Sequence, residues 1–386
     1  MRLYDLNEFF KLSSVLNYNL SAAALNRQNV LMFITADKPL DDDPRRHQEY
    51  ILILLDALEY LFAAYRKKRR RLGPMAVLHP LRATILFARS AERLNYLNLI
   101  SVMFHDVLED IRPQDFADIN WREMETRLYA LLERMPSGDE AVLLQRLEAL
   151  TKLDGESYYA YIGRLLEDAR RIPDVVLIKL ADRLDNTLDM RVDIQDPMEG
   201  VDFFENIFQI LFVRNFPGYQ PDLSHPMSSP LNGAKRLYQL FKNAVLLSLI
   251  RQHPVDADRV RLKTLFDAVA EASLSEAQRT LLHLMGYHFR EVTEQRRLLL
   301  EAMEYCYSGR GSVATKPGSG QDLDGLFAGY FGPLQSGERN RRLARLYQDK
   351  PLMMQACIAF ITIFLSFLND ASFFVEGIST RGISPR

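Results

Sequence analysis

Apolar residues recur at helical spacing along nearly the whole chain, and almost no segment alternates apolar and polar residues with a period of two. A strand half-buried in a sheet needs that alternation, whereas a helix needs apolar positions three and four apart. The chain is therefore expected to be all-α, and no internal repeat divides it. With 386 residues, 48 % hydrophobic and 25 % charged, it has the make-up of a soluble globular protein long enough for two or so domains. The net charge of −2 gives no general attraction to a phosphate backbone, so nucleic acid is not expected as a partner. The basic run Arg66-Lys67-Lys68-Arg69-Arg70-Arg71 is local, and solvated cations suit the C-terminal end of a helix.

Cys306 and Cys357 are too few for a disulfide framework or a cysteine zinc site, which fits a reducing compartment. The N-terminus has no basic segment followed by a long apolar core, so a cytoplasmic protein is expected. The longest apolar run, Leu352 to Leu368, is interrupted by Gln355, Thr362 and Ser366. It lies at the margin of membrane-spanning length, and a buried core or dimer helix is the expectation rather than a membrane partner.

Taken in order, residues 1–44 form an N-terminal helical extension. Asp41-Asp42-Asp43-Pro44 is a helix start, with acidic residues at the positive end of the dipole and Pro in the first turn. The helix should run to about Lys68, with Ile51, Leu54, Leu58, Leu61 and Phe62 on one side. After the turn around Gly73-Pro74, Pro80 opens another helix and leaves His79 at its N-terminal edge. Helical patterns continue over 115–150, broken at Pro136-Ser137-Gly138, and from Tyr158 to Arg171. The Pro- and Ser-rich stretch 217–230 reads as a linker. Beyond it, Lys235 to Gln252, Asp256 to Ala272, Ser275 to Tyr305 and Arg341 to Asn369 are helical in character, and 308–320 is a glycine-rich loop.

Two stretches carry chemistry. The first, Asn95 to Asp110, reads as one helix on which His105, Asp106, Glu109 and Asp110 fall in an arc of about 140°, while Ile100, Phe104, Val107 and Leu108 face a core. An adjacent His-Asp pair on an apolar helix is costly to bury without a partner, and a divalent metal is a natural one. A solvated acidic face is the plainer alternative. In the second, Asp174 to Asn186, Val175–Ile178 alone would suit a strand, but Leu177, Leu180, Ala181, Leu184 and Leu188 keep helical period, so a helix is expected. Asp182 and Asn186 then point the same way.

Three separated segments stand in one order: His79-Pro80, His105-Asp106-x-x-Glu109-Asp110, and Lys179-Leu180-Ala181-Asp182-Arg183-Leu184-x-Asn186. The series resembles the HD-domain metal-dependent phosphohydrolases, and within them it looks most like the hydrolase domain of RelA/SpoT enzymes and their small stand-alone relatives. Arg70-Arg71, Gly73 and His79-Pro80 keep the family's spacing, and Leu150-Thr151-Lys152-Leu153 is similar to a further family element. The resemblance covers about residues 45–195. It departs at Asp185, where the family usually has His, at Asp189, where it often has Thr, and at Met75-Ala76-Val77. Nothing after residue 200 looks like the family's synthetase domain.

The resemblance implies an HD-domain helical bundle over 45–200. Beyond it come a linker over 201–230 and a second helical region over 231–386, and homodimerisation through the C-terminal helices or regulation is open to that region. It implies His79, His105, Asp106 and Asp182 as ligands of a divalent metal, with Mn²⁺ favoured. Glu109 and Asp110 would orient or deprotonate water, and Arg70, Arg71, Lys152 and Asn186 would bind a small-molecule nucleotide. Lys179 would hold a carboxylate. The implied reaction removes the 3′-pyrophosphate of guanosine tetra- or pentaphosphate. The alternatives are an HD phosphohydrolase on another nucleotide or phosphomonoester, which Asp185 and Asp189 motivate by repelling a polyanion, and a nucleotide-sensing module with residual metal binding.

Overall fold

The computed structural model describes residues 9, 11–16, 27–36, 38–40, 43–70, 75–189, 233–289, 291–308, 337, 338, 341 and 349–383. Among them are thirteen α-helices and one two-stranded hairpin, so the all-α expectation holds. The stretch 217–230, the loop 309–320 and Arg71 lie outside the described residues. The chain divides into two compact units. The first comprises Met1–Glu156, Arg164–Asn186 and Val255–Ala268; the second comprises Ser157–Gly163, Thr187–Pro254 and Val269–Arg386.

In the first unit, α1 (Arg27–Thr35) packs on α2 (His47–Tyr65) and α3 (Leu78–Arg89). Helix α2 packs on α4 (Tyr96–Met103) and α6 (Asp118–Glu133), and α4 also meets α3 and α7 (Asp139–Leu150). The predicted stripe of α2 lies where its period placed it: Leu54, Leu58 and Leu61 are fully buried, and Ile51 and Phe62 pack at the edge of the core. Helix α4 begins at Asn95, whose side chain accepts from the Asn98 backbone N–H at 3.0 Å. The break before α7 is made by Gly138, at φ +96°, a conformation that only glycine adopts without strain. Next in the chain are α8 (Tyr158–Asp168) and α9 (Asp174–Asp189). Val175 to Ile178, Leu180, Ala181, Leu184 and Leu188 of α9 are wholly buried, which explains why this stretch is almost unbrokenly apolar.

One expected helix is broken. Asn95 to Asp110 is not continuous: α4 ends at Met103, and a separate turn, α5, covers Val107–Asp110. At the break the backbone closes in three-residue steps, with His105 N–H to Val102 O at 3.4 Å and Val107 N–H to Phe104 O at 2.9 Å. Phe104 (φ −104°, ψ 4°) and Asp106 (φ −103°, ψ 0°) sit in the sparsely allowed bridge region. His105 and Asp106 therefore lie on a tight turn, and Leu108, expected to face the core, is 42 % exposed.

The second unit holds α10 (Gly233–Gln252), most of α11 (Arg259–His288), α12 (Val292–Ser308) and α13 (Lys350–Asn369). Helix α11 passes without interruption through Ala272–Ser275, where two helices were expected to meet. Ser273, a weak helix former, is buried and accepts from Asn243 Nδ2 at 2.8 Å, so a tertiary contact replaces the local competition that ends helices. The break comes instead at Phe289, whose carbonyl accepts from Gln295 Nε2 at 2.6 Å. Helix α13 packs on α10 and α12. Asp349 caps it by accepting from Leu352 N–H at 3.2 Å, and Arg251 donates to Phe367 O and Asp370 O at its far end. Its span Pro351–Asn369 is long and apolar enough to cross a membrane, and 56 % of it is buried within the protein. The hairpin β1 (Ile378–Ser379) and β2 (Gly382–Ile383), paired Ile378 with Ile383, is too short to leave an alternating pattern in the sequence.

Candidate metal centre

Four of the residues singled out in the sequence converge. His79 comes from the first turn of α3, His105 and Asp106 from the turn between α4 and α5, and Asp182 from α9. One donor atom from each lies within 4.8 Å of the other three, so the group could hold a metal ion. His79 Nε2 is 3.1 Å from Asp106 Oδ2 and 3.3 Å from Asp182 Oδ1. His105 Nε2 is 3.2 Å and 3.6 Å from the same two oxygens and 3.1 Å from His79 Nε2. Adjacent donors around an octahedral ion with bonds of about 2.1 Å are about 3.0 Å apart. Two imidazole nitrogens and two carboxylate oxygens at these separations fit one small divalent cation, and the mixed set does not by itself select which.

The other ring nitrogen of each histidine is held. His105 Nδ1 lies 2.7 Å from Val102 O, a pure acceptor, so it carries the proton and leaves Nε2 directed at the cluster. His79 Nδ1 lies 2.7 Å from Asp185 Oδ2. Asp185 in turn accepts from Arg82 Nε at 2.7 Å and Nη2 at 3.1 Å, in a site where it has no exposure. The Asp185 carboxyl therefore turns inward to the back of the His79 ring rather than outward to a polyanion, contrary to the expectation that it repels substrate. Asp189 is also buried. Lys179 Nζ lies 2.7 Å from Asp182 Oδ2, as expected of a cation that holds a carboxylate.

The electrostatics express a demand for positive charge at the cluster. Burial, and then Arg70, oppose a charge on His79, but Asp106, Asp182 and Asp185 outweigh them and raise it to about 9. His105 is raised well above its ordinary value, against burial, by Asp106 and Asp182. Burial would lift Asp106 and Asp182; the two histidines, and for Asp182 first Lys179, hold both far below the usual carboxylate range. The cluster thus favours positive charge, which protons or a bound cation could supply.

Around it, Glu109 is half-buried and its Oε1 accepts from the Lys152 backbone N–H at 2.7 Å. Desolvation, and then the charge of Asp106, raise its carboxyl above the ordinary value. Asp110 Oδ2 accepts from the Tyr65 hydroxyl at 3.0 Å, and desolvation and Asp106 raise it likewise. Arg70 Nη2 donates to Asn186 Oδ1 at 2.7 Å and its Nη1 lies 3.6 Å from Asp185 Oδ2. Asn186 Nδ2 in turn donates to Asp182 Oδ1. Lys152 reaches this region through its backbone, and its side chain is exposed. Sequence reasoning missed Tyr65 and Arg82. The second left a signal: an arginine one turn after His79, flanked by Leu81 and Ala83, calls for a buried acid.

No family model, curated protein or solved structure matches the chain.

Proposed function

We propose that this chain is a metal-dependent phosphohydrolase of the HD type, and that its substrate is a guanosine alarmone from which it removes the 3′-pyrophosphate. The observation that carries the reading is the meeting of His79, His105, Asp106 and Asp182, drawn from three separate segments, within 4.8 Å. These side chains would hold the cation, Mn²⁺ by the resemblance. Bound there, a divalent cation supplies Lewis acidity, polarising a phosphoryl oxygen and lowering the pKa of a water.

The chain's own residues do the rest. Glu109 takes the proton of the attacking water; its raised carboxyl is a better base than an exposed glutamate, and the Lys152 backbone N–H fixes it. Asp110, fixed by Tyr65, orients that water. Arg70 meets phosphate through its guanidinium fork, and Asn186 holds the fork and a ligand carboxylate together. Because Asp185 is taken up by Arg82 and His79, its charge is no argument for another substrate.

The test is purified protein with Mn²⁺ and a panel of nucleotides, with products followed by ³¹P NMR. Pyrophosphate released from the 3′ position of guanosine tetraphosphate supports the reading. Turnover of other phosphate esters alone overturns the substrate, and metal binding without turnover of any of them overturns the enzyme.

A further inference from the structure

The two histidines of the cluster are backed differently. His105 Nδ1 is 2.7 Å from a backbone carbonyl, a neutral acceptor. His79 Nδ1 is 2.7 Å from the carboxylate of Asp185. That carboxylate is fully buried and is engaged by Arg82 through Nε and Nη2 at 2.7 and 3.1 Å. Arg82 is itself 2 % exposed, and its guanidinium carbon lies 5.2 Å from the centre of the Phe9 ring. A buried arginine and a buried aspartate in a helical core cost desolvation energy that an apolar pair of the same volume would not. What the ion pair provides here is a fixed anion behind one imidazole.

We infer that Asp185, held by Arg82, is a positioning residue that fixes His79 in its Nδ1–H tautomer and makes its Nε2 the stronger donor of the two toward the cation. An anionic acceptor on Nδ1–H puts electron density onto the ring and fixes the ring plane, and removing such a partner weakens metal binding by about 10–100-fold. Asp185 touches neither water nor substrate in this role. Its effect on the cation is passed on through His79; Arg70, whose Nη1 lies 3.6 Å from the same carboxylate, is not a ligand. The inference rests on the metal-hydrolase reading, because it needs His79 to be a ligand.

The experiment combines calorimetric Mn²⁺ titration with ¹⁵N-resolved histidine NMR of the metal-free protein at a pH above 9, where the His79 ring is neutral and has a tautomer to read, on the wild type and on Asp185→Asn. Asn keeps the shape but loses the charge. The expected result is an Nδ1–H signature for His79 in the wild type, altered in Asp185→Asn, with Mn²⁺ affinity lowered about tenfold or more. Asp174→Asn serves as a control on the same helix, since Asp174 pairs with Arg146, and it should leave the affinity within about twofold. Should Asp185→Asn fail to fold, Arg82→Lys carries the test, since it keeps the charge but loses the fork, and a smaller drop in affinity is expected. A wild type that binds Mn²⁺ while the variant keeps both its affinity and the tautomer overturns the inference alone. A wild type that takes up no Mn²⁺ overturns the hydrolase reading and the inference together.

Discussion

His79 and His105 present their Nε2 atoms to each other at 3.1 Å, with ring planes inclined by 73° and two carboxylates closing the same space. Two imidazoles arranged this way share either a proton or a cation, and the two states differ in how the protein answers to metal and to pH.

If a cation is bound, the folded state gains by mass action. Mn²⁺ at about one hundred times its Kd should stabilise the protein by about 2.7 kcal/mol, and a chelator should remove the gain. His105→Ala should lose the metal-dependent part of the rise in Tm, read by differential scanning calorimetry. A Tm that ignores both metal and chelator would falsify the metal site.

Without metal, the cluster sets a pH dependence. His79 is raised from 6.5 to about 9, so its share of stability is fully present below 6.5 and is lost as pH climbs through 9. Tm of the chelated protein should fall across that window. Metal uptake displaces the same protons, so Mn²⁺ affinity should rise with pH over the range in which the metal-free protein weakens. Parallel calorimetry at several pH values checks both slopes, and a metal affinity flat from pH 6.5 to 9 contradicts the assignment.

Glu109→Gln keeps the hydrogen bond to the Lys152 amide and removes only the basic oxygen. Turnover should drop by about 10²–10⁴-fold, the usual range for a lost general base, while Mn²⁺ affinity stays within about threefold. Full activity in this variant would take the role from Glu109.

Arg70 holds Asn186 through Nη2 and would also meet phosphate with its guanidinium. Arg70→Ala should raise KM by about 10–100-fold, as expected for a charge-assisted contact of about 1.5–3 kcal/mol, with a smaller change in kcat. Steady-state kinetics separate the two, and a fall in kcat at constant KM would place Arg70 elsewhere.

Leu184 lies on α9 between Asp182 and Asp185 and is wholly buried. Leu184→Ala should cost about 2–5 kcal/mol in urea unfolding, at the higher end if the neighbours cannot collapse onto the void.

The parts of this molecule set by local pattern were legible in the sequence. Leu54, Leu58 and Leu61 announced the buried side of α2, and Asp182 with Asn186 announced the shared face of α9, because helical period survives burial. The break at Phe104–Asp106 was not legible. Every residue from Ile100 to Leu108 is compatible with a helix, so no residue type marks the turn. Asp185 was misread for a related reason: its partner Arg82 lies 103 positions away, so its charge looked solvent-directed until the fold supplied a cation. Separation along the chain also hid Tyr65, which meets Asp110 from 45 positions away.

Helix α9 carries a metal-ligand candidate at 182, a backing anion at 185 and the Arg70 partner at 186. Each extra residue in a helix rotates every later side chain by about 100° around the axis. A one-residue insertion between 182 and 185 would therefore swing the later pair out of reach while leaving the apolar composition untouched. Side-chain replacements there should be graded in effect, but length variation inside that interval should separate Asp185 and Asn186 from their partners at one stroke.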